Sequence, residues 1–296
     1  MAITAAMVKE LRDKTGAGML DCKKALEETN GDVNLAIDYL REKGIAKAAK
    51  KADRIAAEGL TSVLIKGNDA LLFELNSETD FVAKNDQFLA LLEKLGALLI
   101  DSDVKTAEEA LKLVNAEGLS VEQLLLGATA TIGEKISLRR LVRKTKKDSE
   151  GFGSYAHMGG KISVLTILEK EDATVAKDLA MHITVFKPRF LKREDVDQET
   201  VAHETKIITE MMANDESLAN KPEKVLQGIL QGKLSKVLQE FVLVEQAYVK
   251  DPAIKVKDYL KSNNNQIVDY VRLEVGEGIE KVESDFAAEV MAQVKK

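Results

Sequence analysis

The sequence predicts an α+β protein, and three observations carry that reading. A run of short amphipathic helices opens the chain. A strand pattern followed by a helical one then occurs twice, at residues 60–100 and 162–185. A long stretch at 195–241 has helical periodicity and no strand character.

Residues 4–44 read as three short helices. Val8 and Leu11 mark the apolar stripe of the first, and Gly16 and Gly18 supply a tight turn. Met19, Cys22, Ala25 and Leu26 mark the second, which Gly31 ends. Asp32 is placed to cap a third, with Val33, Ala36, Ile37 and Leu40 inward and Gly44 closing it. So small a bundle buries little surface and is expected to be only weakly stable by itself. Residues 45–58 are rich in Ala and Lys (Lys47, Lys50, Lys51, Arg54), which reads as a solvated helical linker, with RNA contact as the alternative.

From Leu60 the period changes to that of strands. Leu60–Ile65 and Ala70–Asn76 flank Gly67-Asn68-Asp69, the signature of a β-hairpin. The hairpin runs into Glu74-Leu75-Asn76-Ser77-Glu78-Thr79-Asp80-Phe81-Val82-Ala83-Lys84, a strand-to-helix corner at which Thr79 or Asp80 can cap the helix start. Phe81 then falls in the first helical turn. It is either buried beside the cap or presented to a partner. Phe88, Leu89, Leu92, Leu95 and Leu99 continue at helical spacing, and helices are expected near 106–115 and 120–142. Ile162–Leu168 reads as a strand and Asp172–Val185 as a helix ending before Pro188. In 195–241 a polar break at Asn214-Asp215-Glu216-Ser217 separates Val201, Ile208 and Met211 from Val225, Ile229 and Leu238, which suits an antiparallel helical hairpin. Ile267–Val275 reads as a returning strand, and Phe286, Val290 and Val294 as one side of a C-terminal helix. Glu283-Ser284-Asp285-Phe286-Ala287-Ala288 echoes the Phe81 corner, a warning that the local pattern alone does not encode activity.

Composition removes several functions. With 43 basic against 49 acidic residues the net charge is −6, contrary to what a dedicated nucleic-acid binder needs. The single Cys22 forms no internal disulfide, consistent with a reducing compartment. No stretch approaches a membrane span. The start, Met1-Ala2-Ile3-Thr4, has neither an apolar signal core nor an Arg/Ser-rich leader, so the mature chain is expected to begin there, in the cytoplasm. Neither a phosphate-binding Gly-rich loop nor a GxSxG or paired-Cys metal motif occurs. His203-Glu204 opens like a zinc-protease helix, but Ile207 stands where the second ligand belongs. His182, among Leu179, Ala180 and Ile183, reads as a core histidine, whereas His157 lies in a Gly-bounded loop. The densest basic run, Arg139, Arg140, Arg143, Lys144, Lys146 and Lys147, reads as cations at a helix C-terminus, with RNA binding as the alternative.

Two long strings carry a family resemblance. Leu11-Arg12-Asp13-Lys14-Thr15-Gly16-Ala17-Gly18-Met19-Leu20-Asp21-Cys22-Lys23-Lys24-Ala25-Leu26 and Glu74–Lys84 resemble the two signatures of the translation elongation factor Ts family, bacterial type. The resemblance extends to Asp269–Glu280. It implies a ubiquitin-associated-like three-helix module with its linker at 1–55 and an α+β subdomain at 56–145. A second α+β subdomain follows at 146–275, with a coiled-coil hairpin inserted at about 195–241, and a C-terminal helical module at 276–296. Both subdomains carry small antiparallel sheets.

The resemblance further implies guanine nucleotide exchange on elongation factor Tu, without bond-making chemistry, cofactor or metal of its own. It makes Phe81 a wedge in the partner's GTPase domain, with Asp80 perturbing its Mg²⁺ region and Thr79 and Val82 shaping the corner. Arg12, Met19, Leu20 and Lys23 match a docking surface, where many relatives have Met at the place of Leu20. His157 and the C-terminal helix match further contacts. The competing reading is a ubiquitin-associated-type binding module or RNA chaperone using the 139–147 run.

Overall fold

The computed structural model describes residues 3–219 and 221–280. Helices and small sheets fall into two compact units, one of residues 3–64, 71–143 and 273–280, the other of residues 65–70 and 144–272. The fold is α+β.

The first unit opens with α1 (Ala5–Thr15), α2 (Met19–Glu28) and α3 (Val33–Ala49). Thr4 caps α1, Gly16 closes it at φ 66°, and Asp32 caps α3 by accepting from the Asn34 and Leu35 amides. Val8, Leu11, Cys22, Ala25, Leu26 and Ala36 form the buried core of this bundle. Gly44 does not end α3. A Cβ there would lie 3.0 Å from Ala130 Cβ, so the glycine admits a close helix approach rather than a stop. The Ala/Lys segment is correspondingly not a wholly solvated linker: Ala48 on α3 and Ala56 and Ala57, just before the first strand, are buried.

β1 (Glu58–Lys66) and β2 (Asp69–Ser77) form the expected hairpin around Gly67-Asn68, and β3 (Ser137–Thr145) completes a sheet of order β1-β2-β3. The central strand is buried throughout Ala70–Ser77, which explains its continuous apolar run. α4 (Asp86–Ile100) covers the sheet with Phe88, Leu91, Leu95 and Leu99, whereas Leu89 faces outward. α5 (Ala107–Lys112) and α6 (Val121–Ile132) follow, the latter started by a Ser120–Gln123 capping box. The expected helix over 120–142 therefore stops at Gly133, whose φ is 93°, and its second half is strand. Leu138 and Leu141 are the buried positions of β3, and their spacing of three mimics a helical stripe.

In the second unit β4 (Gly151–His157) pairs antiparallel with β5 (Ile162–Leu168), and β8 (Ile267–Glu274) joins on the far side of β5. His157 thus ends a strand, not a free loop; small residues at Gly151 and Gly153 disguise β4 because the backbone of Lys170, Glu171 and Asp172 lies against the first and Ala176 against the second. α7 (Ala173–Phe186) is capped by Asp172. α8 (Gln198–Ala213) and α9 (Glu223–Phe241) form the helical hairpin, cored by Ile208, Leu234 and Leu238 with Val201 and Leu230. Met211 and Val225, expected in that seam, are exposed instead; both lie beside the connection between the two helices, at the tip of the hairpin. β6 (Ala247–Tyr248), β7 (Asp251–Lys255) and α10 (Val256–Ser262) complete the unit. Phe286, Val290, Val294 and the echo at 283–288 lie outside the described residues.

Candidate functional site

The corner after β2 is built from backbone and carboxylates. Ser77 Oγ donates to the Thr79 carbonyl at 2.9 Å. The Thr79 amide donates to Glu134 Oε2 at 2.9 Å and its hydroxyl to Oε1 at 2.7 Å. Asp80 pairs with Lys84 at 2.8 Å. Phe81 precedes a single 3-10 turn, Val82–Lys84, and only then does Asn85 cap α4 by accepting from the Gln87 amide at 2.8 Å. The cap expected of Thr79 or Asp80 is therefore supplied by Asn85, because the intervening turn displaces the helix start. Val82 packs against the core and Ala83 is buried, anchoring the turn from below.

The Phe81 ring itself is 80% exposed, with Lys84 Nζ 6.0 Å from its centroid. Leaving a Phe in water forgoes about 1.5–3 kcal/mol of burial. Folding draws nothing from such a side chain, whereas a partner's pocket would.

A second exposed apolar feature lies on the three-helix bundle. Leu20 is 84% and Met19 48% exposed in the first turn of α2. Met19, expected inward, precedes the turn at which the α2 stripe enters the core at Cys22. Lys23 shares this face at i+4 from Met19 and pairs weakly with Glu27 at 3.7 Å. Arg12 is exposed in the last turn of α1. Leu35 on α3 is another exposed apolar residue; only its place beside inward Ala36 signals it in the sequence.

In the second unit His157 is half-buried, its Nδ1 3.2 Å from the Tyr155 hydroxyl. Its neighbour Met158 holds a left-handed backbone at φ 49° and is 73% exposed. A bulky residue in that conformation at a hairpin tip is a feature the sequence did not single out. His182 is fully buried. Its Nδ1 accepts from the Val249 amide at 3.2 Å, which leaves the proton on Nε2 to donate to Gln246 Oε1 at 3.0 Å. Burial pushes its pKa down, outweighing the Gln246 bond, as befits a neutral core histidine.

The basic run is largely consumed internally. Arg139 and Arg140 converge on the fully buried Glu74 at 3.2 and 2.6 Å, and Arg140 also donates to the Glu274 carbonyl at 2.8 Å. Burial pushes the Glu74 pKa up, but the Gly276 amide, Asn76 and Arg140 outweigh it and hold the carboxyl below its usual value. Arg143 donates to the Leu99 carbonyl at 2.6 Å and reaches those of Ile100 and Val104, so it does sit at a helix C-terminus, but that of α4. Lys144 pairs with Asp269 at 2.6 Å and Lys147 with Glu150 at 3.4 Å. Among the described residues no group of His, Cys, Asp and Glu is arranged to hold a metal ion, and no helix is long and apolar enough to cross a membrane.

The family model described as Elongation factor TS matches residues 78–277, a span that begins at the Phe81 corner. The chain belongs to the elongation factor Ts family. A curated Elongation factor Ts from Acholeplasma laidlawii (strain PG-8A) is 71% identical over 296 residues, covering all of both chains. Membership in the elongation factor Ts family thus extends over the three-helix bundle, including Arg12, Met19, Leu20 and Lys23, which the family model leaves out.

Proposed function

We propose that the chain is a guanine nucleotide exchange factor of translation: it binds elongation factor Tu with GDP, dislodges Mg²⁺ and promotes GDP release so that GTP can rebind. The observation that carries this reading is Phe81, an exposed ring on a hydrogen-bonded corner with no role in its own core. Phe81 acts as the wedge, Asp80 disturbs the partner's Mg²⁺ region, and Thr79 and Val82 hold the corner. Arg12, Met19, Leu20 and Lys23 dock the three-helix bundle, Leu20 and Met19 supplying its apolar centre and the two cations its rim. His157 adds a contact from the second unit. Nucleotide and metal belong to the partner, and this chain contributes no bond-making step. The reading carries with it a cytoplasmic location. An RNA-binding role loses its footing, because the arginines it would use are engaged by Glu74 and by helix carbonyls.

Exchange of this kind is differential binding. The factor stabilises a GTPase conformation whose phosphate and Mg²⁺ contacts are broken, and by linkage nucleotide weakens the factor's affinity equally. A 10⁴-fold acceleration requires a barrier lowered by roughly 5.5 kcal/mol. Burying one Phe supplies about 1.5–3 kcal/mol, so the docking surfaces must provide the rest. Phe81→Ala is expected to slow release of a fluorescent GDP in stopped flow by about ten- to a hundred-fold, given that burial energy. Its thermal melt stays unchanged, because the ring stabilises nothing in the free chain. Unaltered release by this variant would remove the wedge.

A further inference from the structure

We infer that Glu134 is a positioning residue for exchange, and that with Glu78 it forms a two-way latch that fixes the direction in which Phe81 points. The inference rests on the exchange reading above.

A ring that is 80% exposed has no core to orient it. Its direction is set by the backbone on either side. Downstream, Val82 and Ala83 are packed against the core. Upstream, the chain has left the sheet after Ser77, and the Thr79 amide and hydroxyl both go to Glu134, at 2.9 and 2.7 Å. The neighbouring pair runs the other way: Glu78 Oε1 accepts from the Lys135 amide at 2.7 Å. Two consecutive residues of the corner are thus laced to two consecutive residues of the α6–β3 turn. One acidic side chain crosses in each direction.

The same turn reaches a third segment. Lys135 Nζ donates to the Ala52 and Arg54 carbonyls at 2.6 and 3.0 Å, Arg54 returns to Glu78 at 3.2 Å, and Lys51 donates to the Gly133 carbonyl. Residues 51–54 form the connection from the three-helix bundle to β1. The latch therefore ties the wedge corner to the chain that carries the Leu20 docking face. Holding both in one geometry before the partner arrives lowers the ordering cost of binding, and orientation errors of about 1 Å are costly where a group must act at a defined point.

The chemistry demands a carboxylate of glutamate length. Each Glu134 oxygen accepts from a different Thr79 donor. A glutamine has one acceptor oxygen and would set its NH₂ against a donor; an aspartate is one methylene short. Thr79→Ser keeps both donors, and Thr79→Val removes one.

The test uses the full chain, elongation factor Tu and fluorescent GDP release. Glu134→Gln is expected to slow exchange roughly three- to tenfold, the scale of losing charge-assisted hydrogen bonds, and to lose hydrogen-exchange protection at the Thr79 amide. Thr79→Val, which loses the hydroxyl bond, should exchange more slowly than Thr79→Ser, which keeps it, and this covers the case in which the Glu134 variant misfolds. The decisive comparison is Phe81→Ala alone against Phe81→Ala with Glu134→Gln. If Glu134 acts through the ring, the second change adds nothing once the ring is gone. Multiplicative loss, or normal exchange by both Glu134→Gln and Thr79→Val, overturns the latch while leaving the wedge intact. Normal exchange by Phe81→Ala overturns the wedge reading itself, and the positioning role with it.

Discussion

Two strand-to-helix corners in this chain solve the same problem with different economy. From β5 to α7 the chain passes through Glu169-Lys170-Glu171 and starts the helix at Asp172, whose carboxylate accepts from the Thr174 and Val175 amides at 3.1 and 3.0 Å. From β2 to α4 the helix is started by the same kind of cap, Asn85. Between strand and cap, however, lie Glu78 to Lys84, a 3-10 turn and an exposed Phe. The first arrangement demonstrates that turning from strand to helix needs no more than a short polar link and a cap. The additional residues at the Phe81 corner therefore answer to something other than chain reversal. Its exposed ring, clamped backbone and anchored Val82 are what a presented contact requires.

The largest effect expected of a single change lies beneath that corner. Glu74 is fully buried on β2, and its carboxylate holds Arg139, Arg140, Asn76 and the Gly276 amide. Removing one partner from a buried ion pair costs about 3–5 kcal/mol, and because the arginines remain partly exposed Glu74→Gln should fall near the lower end. The pH dependence follows from the direction of its pKa. Held below the ordinary glutamate value of 4.5 in the fold, the carboxylate stabilises the native state above that pH, and the benefit is lost as pH falls through the folded value. The gap in stability between wild type and Glu74→Gln should thus be full at neutral pH and narrow below about pH 4.5, as read by denaturant melts across pH. A constant gap would mean that the ion pair is not its source.

Beside the β5–α7 corner the packing is stiff in a different place, between β4 and α7. A Cβ on Gly153 of β4 would lie 2.3 Å from Ala176 Cβ and 2.5 Å from its carbonyl carbon, both on α7. Backbone cannot step aside, so Gly153→Ala should destabilise by roughly 1–3 kcal/mol, the scale of overpacking. A Cβ on Gly96 of α4 would be in ordinary contact with Phe73 Cε1 at 3.5 Å and tight only against the Leu64 methyl ends, at 3.1 and 3.2 Å. Those ends can rotate, and alanine gains up to about 1 kcal/mol of helix propensity, so Gly96→Ala should be near neutral. Equal melting temperatures for the two variants would erase the distinction.

What was legible in the sequence follows the range over which each feature is decided. The hairpin at Gly67-Asn68, the Asp32 cap and the Asp172 cap are local chemistry, and all were readable. β3 was not. Its buried Leu138 and Leu141 stand three apart, and Arg139, Arg140 and Arg143 make sense only with Glu74 and the end of α4 in view. Gly44 looked like a stop because Ala130 is remote in sequence. For the candidate site, the corner and Phe81 were legible from the string, but whether the ring faced in or out was not. Glu134 left no local trace, since both its donors belong to Thr79.

The smallest effect makes the sharpest contrast between the corners. Asn85→Ala and Asp172→Ala each remove one side-chain cap, and each should cost about 1 kcal/mol of stability. If the corners differed only in length, their consequences for exchange would match as well. Asn85, however, also ends the 3-10 turn that follows Phe81, its amide donating to the Val82 carbonyl at 2.9 Å. Loosening that end lets the ring wander without removing it. Asn85→Ala should therefore slow GDP release measurably, by less than Phe81→Ala does, whereas Asp172→Ala should leave release by the folded protein unchanged. Paired melts and stopped-flow traces read both quantities. A fall in exchange common to both variants would mean that the Phe81 corner is no more specialised than the one between β5 and α7.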